Sequence, residues 1–114
     1  MIYIASPYSH PDADIREARF RAACRKTAEM TRDGKIVYSP IVHSHPLSAL
    51  GLPTDWPYWS EHNRAMLERS DALTVLTLPG WKESRGVAFE VKIAAALQLP
   101  VRYETLAGAD PEAS

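Results

Sequence analysis

The chain has 114 residues, 46 % of them hydrophobic and 24 % charged, with a formal net charge of −1 at pH 7. That length fits one domain burying roughly 65 to 68 per cent of the surface its unfolded chain exposes, and the composition excludes a disordered chain. So even a charge balance carries no basic excess for gripping a nucleic-acid polymer.

The single cysteine, Cys24, excludes an intramolecular disulfide framework and a cysteine-based zinc cluster, so a reducing, cytoplasmic setting is expected. Met1 to Pro7 lacks the basic start and the long apolar run of a signal peptide. No apolar stretch approaches the roughly 20 residues of a membrane span, and no membrane partner is expected.

In chain order, Ile2 to Ala5 reads as a buried strand that runs into a loop at Ser6-Pro7-Tyr8-Ser9-His10-Pro11. Asp14-Ile15-Arg16-Glu17 has the form of a capping box, and Ile15, Ala18, Ala22, Ala23, Thr27 and Met30 continue a helical stripe to Asp33-Gly34. Ile36 to Tyr38 forms a second short strand. From Ser39 to Pro57 four prolines, Pro40, Pro46, Pro53 and Pro57, predict a long loop without helix or central strand, of the kind that serves as a lid or binding loop. Helical spacing resumes at Trp59 and runs through Asn63, Met66 and Leu67 to Arg69. Ala72 to Leu78 is the clearest strand, closed by Pro79-Gly80. Ser84 caps a third helix carrying Val87, Ala88, Val91, Ala94, Ala95 and Leu97, and Val101 to Tyr103 is the last strand. One domain is placed at residues 1–105 and a flexible tail at 106–114.

Strands alternating with helices predict an α/β fold. The expected architecture is a three-layer Rossmann-like (flavodoxin-like) parallel sheet of four or five strands with helices on both faces. In such sheets ligands bind beyond the carboxyl ends of the strands. Attention therefore falls on Ser6 to Pro11, Ser39 to His45 and Pro79 to Gly86.

Glu90 is the most informative residue, because helical spacing sets it on the face of Gly86, Val87, Ile93 and Ala94. An acid there needs hydrogen-bond partners or a raised pKa, both properties of catalytic carboxylates; pairing with Arg85 or with another chain is the structural alternative. Ser84 and Gly86 at the helix start offer N–H groups suited to a phosphate, without the spacing of a Walker loop or of a dinucleotide fingerprint. Tyr3 either packs in the core or points its phenol to the strand's end, and Tyr8 lies in the following loop. Ser6 and Ser9 either hold phosphate or ribose oxygens or satisfy the turn. His43 and His45 share a face in extended chain, where they can contact substrate. With His10 or His62 they lack a completing carboxylate or cysteine, so no metal is expected. Trp56, Trp59 and Trp81 lie in or beside loops, placed to stack on a base or to cover the core.

Tyr3-Ile4-Ala5-Ser6-Pro7-Tyr8, Ser70-Asp71-Ala72 and Ser84-Arg85-Gly86-Val87-Ala88-Phe89-Glu90 resemble the nucleoside 2-deoxyribosyltransferase superfamily, which also holds the deoxynucleoside 5′-monophosphate N-glycosidases. More narrowly, Gly80 to Val87 together with Ser39 to Pro46 looks like DUF1937, a family of small bacterial and phage proteins placed near it. The resemblance covers residues 2–103. It implies that Glu90 attacks the anomeric carbon of a nucleoside or nucleoside 5′-monophosphate, that Tyr3 orients it, and that a second base or water takes the sugar. Together with the positions of these residues in the loops and at the helix start, it leads to Ser6, Tyr8, His43, His45, Asn63, Trp81, Ser84 and Gly86 as expected substrate contacts, with no cofactor; family members imply a homodimer or homotetramer. The superfamily carries an aspartate facing the leaving base where Asn63 stands here; Glu61, His62 and Asp55 are the nearby candidates to replace it. An amide donates a hydrogen bond but no proton, so a non-catalytic nucleotide-binding or sensing domain is the alternative function.

Overall fold

The computed structural model describes residues 1–106. They form β1 (Ile2–Ala5), α1 (Ala13–Arg32), β2 (Val37–Tyr38), α2 (Pro40–Ser44), a 3-10 helix (His45–Leu50), α3 (Trp56–Glu68), β3 (Ala72–Leu76), α4 (Arg85–Ala96) and β4 (Val101–Glu104). The four strands make one parallel sheet in the order β2-β1-β3-β4. Parallel neighbours need crossover connections, and the helices supply them.

Alternation along the strands divides the core between the two faces of the sheet. Tyr3, Ala5, Leu73 and Val75 pack against Leu67 of α3 and Val87, Ile93 and Ala94 of α4. On the other face Ile4 and Leu76 pack against Ala22 and Met30 of α1 and against Leu106. This is the expected three-layer Rossmann-like arrangement, with four strands. Leu106 is buried, so the core uses a residue that the sequence reading assigned to the tail; 107–114 lie outside the described residues.

The proline-rich segment departs from expectation. Pro40 and Pro46 stand in the first turns of α2 and the 3-10 helix, where the missing N–H has no intrahelical partner to lose. Ser39 caps α2 by accepting from the Val42 N–H at 3.2 Å. Gly51, at φ 95, closes the 3-10 helix in the left-handed conformation that favours glycine. Pro57 likewise occupies the first turn of α3, which Asp55 caps, so that helix begins at Trp56 instead of Trp59. Between the 3-10 helix and α3, irregular chain is confined to 51–55.

One further boundary shifts. The cap of α1 is Asp12, whose Oδ1 accepts from the Asp14 N–H at 2.8 Å, instead of Asp14 itself. Glu17 is therefore free of the capping box and turns to His45 and Arg21. Ser84 caps α4 as expected, accepting from the Val87 N–H at 3.2 Å.

Candidate active site

After β1 the chain goes to β2 on one side, then returns past β1 to β3, so the strand order reverses between β1 and β3. The loops there diverge and leave a crevice. A cavity of about 320 Å³ opens at this point, walled by the residues after β1, the start of α2, and the facing sides of α3 and α4.

Glu90 borders this cavity from α4 and is only 4 % exposed. Its helix turns Val87, Ile93 and Ala94 to the core, and Glu90 shares their face. The Tyr3 phenol, fully buried on β1, donates to Glu90 Oε2. Burial pushes the Glu90 carboxyl up to about 8, against the opposing pull of that hydrogen bond. Burial and the adjoining carboxylate hold the Tyr3 phenol well above its ordinary range. Tyr38, with its ring centroid 5.8 Å from that of Tyr3, is pushed up to about 12 by burial and then by Glu90. Arg85 is exposed, and among the described residues no cation pairs with Glu90. Glu90 is therefore not paired with Arg85.

Among the described residues, two that line the same cavity carry a buried polar atom without a partner: Ser6 Oγ and Asn63 Oδ1. Leaving such a group unpaired costs about 1–3 kcal/mol, which a ligand can return. At the N-terminus of α4 the Arg85 and Gly86 N–H groups have no intrahelical carbonyl to meet. A Cβ on Gly86 would lie 3.7 Å from Trp56 Cβ and 3.9 Å from Ser84 Oγ, ordinary contact distances. The glycine keeps that corner of the cavity open; crowding does not demand it.

The other expected contacts are scattered. Tyr8 borders the cavity, and its hydroxyl lies 2.6 Å from His45 Nδ1. His45 Nε2 lies 3.0 Å from Glu17 Oε1. Because a carboxylate only accepts, Nε2–H donates to Glu17 and Nδ1 accepts from Tyr8 in the neutral ring. His45 therefore reaches the cavity only through Tyr8. His43 is exposed and stacks on His62, with centroids 5.1 Å apart. The two histidines sit two positions apart on helical backbone, which turns them to different sides, where the sequence reading assumed extended chain. Trp81 lies outside the cavity, packed against Tyr103 at 5.4 Å. Of the candidates to replace the missing acid, Glu61 and Asp55 are exposed, His62 is bonded to the Tyr38 hydroxyl at 3.0 Å, and none of the three borders the cavity.

The sequence reading left the aromatic wall open between stacking and packing: Trp56 and Trp59 border the cavity, with Pro40 and Ile41 beside them. Asp55-Trp56-Pro57, a cap followed by proline in the first turn, is the signal that marks Trp56 as helical and inward.

The profile of a family described as "Domain of unknown function (DUF1937)" matches residues 1–105. The chain belongs to this family. No curated protein matches the chain. The DUF1937 match spans every strand and helix, so Tyr3, Glu90 and both unpaired polar atoms fall within it. Chemically, this DUF1937 cavity joins a buried carboxyl without a counter-cation, a phenol that steadies its ionised form, a helix N-terminus suited to an anion and an aromatic wall. Among the described residues no three of His, Cys, Asp and Glu gather as a metal site, and no helix is long and apolar enough to cross a membrane.

Proposed function

We propose that this protein breaks the N-glycosidic bond of a nucleoside or nucleoside 5′-monophosphate, releasing the base or transferring the deoxyribosyl group to a second base. The observation that carries the reading is Glu90, buried at the cavity with the Tyr3 O–H as donor and no cation beside it. The resemblance of the residues around Tyr3, Asp71 and Glu90 to the nucleoside 2-deoxyribosyltransferase superfamily supports it. Ionised Glu90 forms a bond from Oε to C1′ as the C1′–N bond breaks and its electron pair leaves with the base. Water or a second base then attacks C1′ and frees the carboxylate, the two-step logic of a retaining glycosidase. The α4 N-terminus, Ser84 and Gly86 favour a 5′-phosphate over a free hydroxyl.

The test is incubation with the common deoxynucleoside 5′-monophosphates, following released base by chromatography and quenched protein by mass spectrometry. The expected result is base release with a deoxyribose 5-phosphate adduct on Glu90, and a loss of about a thousandfold in Glu90→Gln. No release by the wild type, or equal release by the variant, overturns the proposal.

A second reading, nucleotide binding without turnover, is favoured by one specific observation. Asn63 lines the cavity where the superfamily carries an acid facing the leaving base, and an amide has no proton to give. That reading expects saturable binding by calorimetry with no base released.

A further inference from the structure

Asn63 lines the cavity, and its Oδ1 is buried and, among the described residues, unpaired. Whichever way the amide is turned, it carries one acceptor and one double donor at neighbouring positions. A ligand that satisfies it offers an N–H beside a C=O or a ring nitrogen. Trp56, Trp59 and Pro40 wall the same cavity and give a flat ring surfaces to lie against. The N–H groups of α4 offer an anion the other end. A base therefore belongs on the Asn63 side and the sugar phosphate on the Ser84 side.

Hydrogen bonding alone leaves several bases eligible; the chemistry of departure separates them. A purine leaves its sugar readily once N7 takes a proton, and an amide cannot supply one. The other carboxyl bordering the cavity, Glu83, is exposed and sits beside the α4 N-terminus instead. A pyrimidine dione needs no proton at that moment: it departs as the N1 anion, its charge spread over two carbonyl oxygens. An amide N–H aimed at one such oxygen stabilises the charge as it develops, while the amide oxygen accepts from the ring N3–H.

We infer that Asn63 selects a uracil- or thymine-type base, holding its imide edge in two hydrogen bonds and stabilising it as the departing anion. This deepens the proposed N-glycosidic reaction and rests on it. C1′–N1 breaks with the electron pair moving to N1, Glu90 Oε bonds to C1′, and the base anion takes its proton afterwards from water. The water that later opens the ester gives its proton to solvent, so charge and protons balance.

The experiment measures kcat/KM for base release from dUMP, dTMP, dCMP, dAMP and dGMP with wild type, Asn63→Asp and Asn63→Ala. Each variant is read as the ratio of dUMP to dAMP, so partial unfolding cancels. The wild-type ratio is expected at tenfold or more, falling at least tenfold in Asn63→Asp, whose carboxylate repels the departing anion, and in Asn63→Ala. A wild-type preference for purines, or a ratio unmoved by both substitutions, overturns the inference while leaving the glycosidic reaction standing. If no nucleotide loses its base, that reaction fails instead, and calorimetry with dUMP and dAMP decides the recognition. Tighter dUMP binding that vanishes in Asn63→Ala upholds the imide contact, and equal or absent binding removes it.

Discussion

Lys26 on the α1 face of the sheet and Glu90 on the α3/α4 face are both almost wholly buried, at 2 % and 4 % exposure, yet they are held in opposite ways. Lys26 Nζ donates to the Thr105 carbonyl at 2.9 Å and pairs with Glu104 at 2.9 Å and Glu29 at 3.6 Å. Every donor has a destination, and the lysine fastens α1 to the end of β4. Glu90 has one neutral donor, Tyr3, and borders a cavity whose walls hold two further unpaired polar atoms. A buried charge surrounded by counter-charges is structural; one left without them is costly to the fold and available for chemistry.

The difference has opposite signatures in pH, the largest effect expected on stability. Folded Glu90 titrates at about 8 against an ordinary 4.5, so between those values the native state holds a proton that the unfolded chain releases. Its contribution is full below pH 4.5 and is lost as pH rises through about 8, an effect of order 5 kcal/mol at about 1.4 kcal/mol for each pH unit. Glu104 runs the other way: hydrogen bonding to Lys26 lowers its pKa, so its contribution is present above the ordinary value and lost as pH falls through the depressed one. Urea unfolding across the pH range should show Glu90→Gln flattening the alkaline decline and Lys26→Met flattening the acid one. Parallel curves for Glu90→Gln and wild type would place Glu90 among ordinary surface acids.

Next in size is Lys26→Ala at neutral pH. Removing the ammonium takes the donor from the Thr105 carbonyl and the partly shielded Glu104 carboxylate, a loss of about 2–3 kcal/mol in urea unfolding. Lys26→Met keeps most of the aliphatic volume and should cost less. Base release per folded molecule should be unchanged in both, since Lys26 stands across the sheet from the cavity. Activity falling further than the folded fraction would couple the two faces and break the contrast.

Sequence patterning reached some of these features and not others. The strand beginning at Ala72 was legible because an apolar run ending in Pro-Gly has few other readings. Ser84 as a cap and Glu90 as an acid on an apolar helical face followed from spacing within one element. Pro40, Pro46 and Pro57 misled because a proline in a first helical turn and a proline in a loop look alike until the capping residue before it, Ser39 or Asp55, is weighed. The Tyr8, His45 and Glu17 chain joins three elements, and the unpaired Asn63 oxygen is defined by what does not touch it. Both are products of packing, which no local pattern encodes. The loop of Trp81 faces the right end of the sheet, which is all that its place in the sequence shows, but its ring turns to Tyr103 on β4.

The smallest change sharpens the contrast most, because the Tyr3 O–H is what, among the described residues, tempers the burial of Glu90. Tyr3→Phe keeps the ring against Tyr38 and the core and removes only the O–H. That bond favours the ionised carboxylate, so its loss moves the Glu90 titration further above 8. The rising limb of kcat/KM against pH should shift upward by about one unit, a loss near tenfold at neutral pH that is recovered at alkaline pH. Stability at acid pH, where Glu90 is protonated in both proteins, should fall by only about 1 kcal/mol. A phenol that merely filled space would lower the rate by the same factor at every pH. The displaced limb, rather than the size of the loss, is therefore what identifies Tyr3 as the group that positions Glu90 and sets its charge.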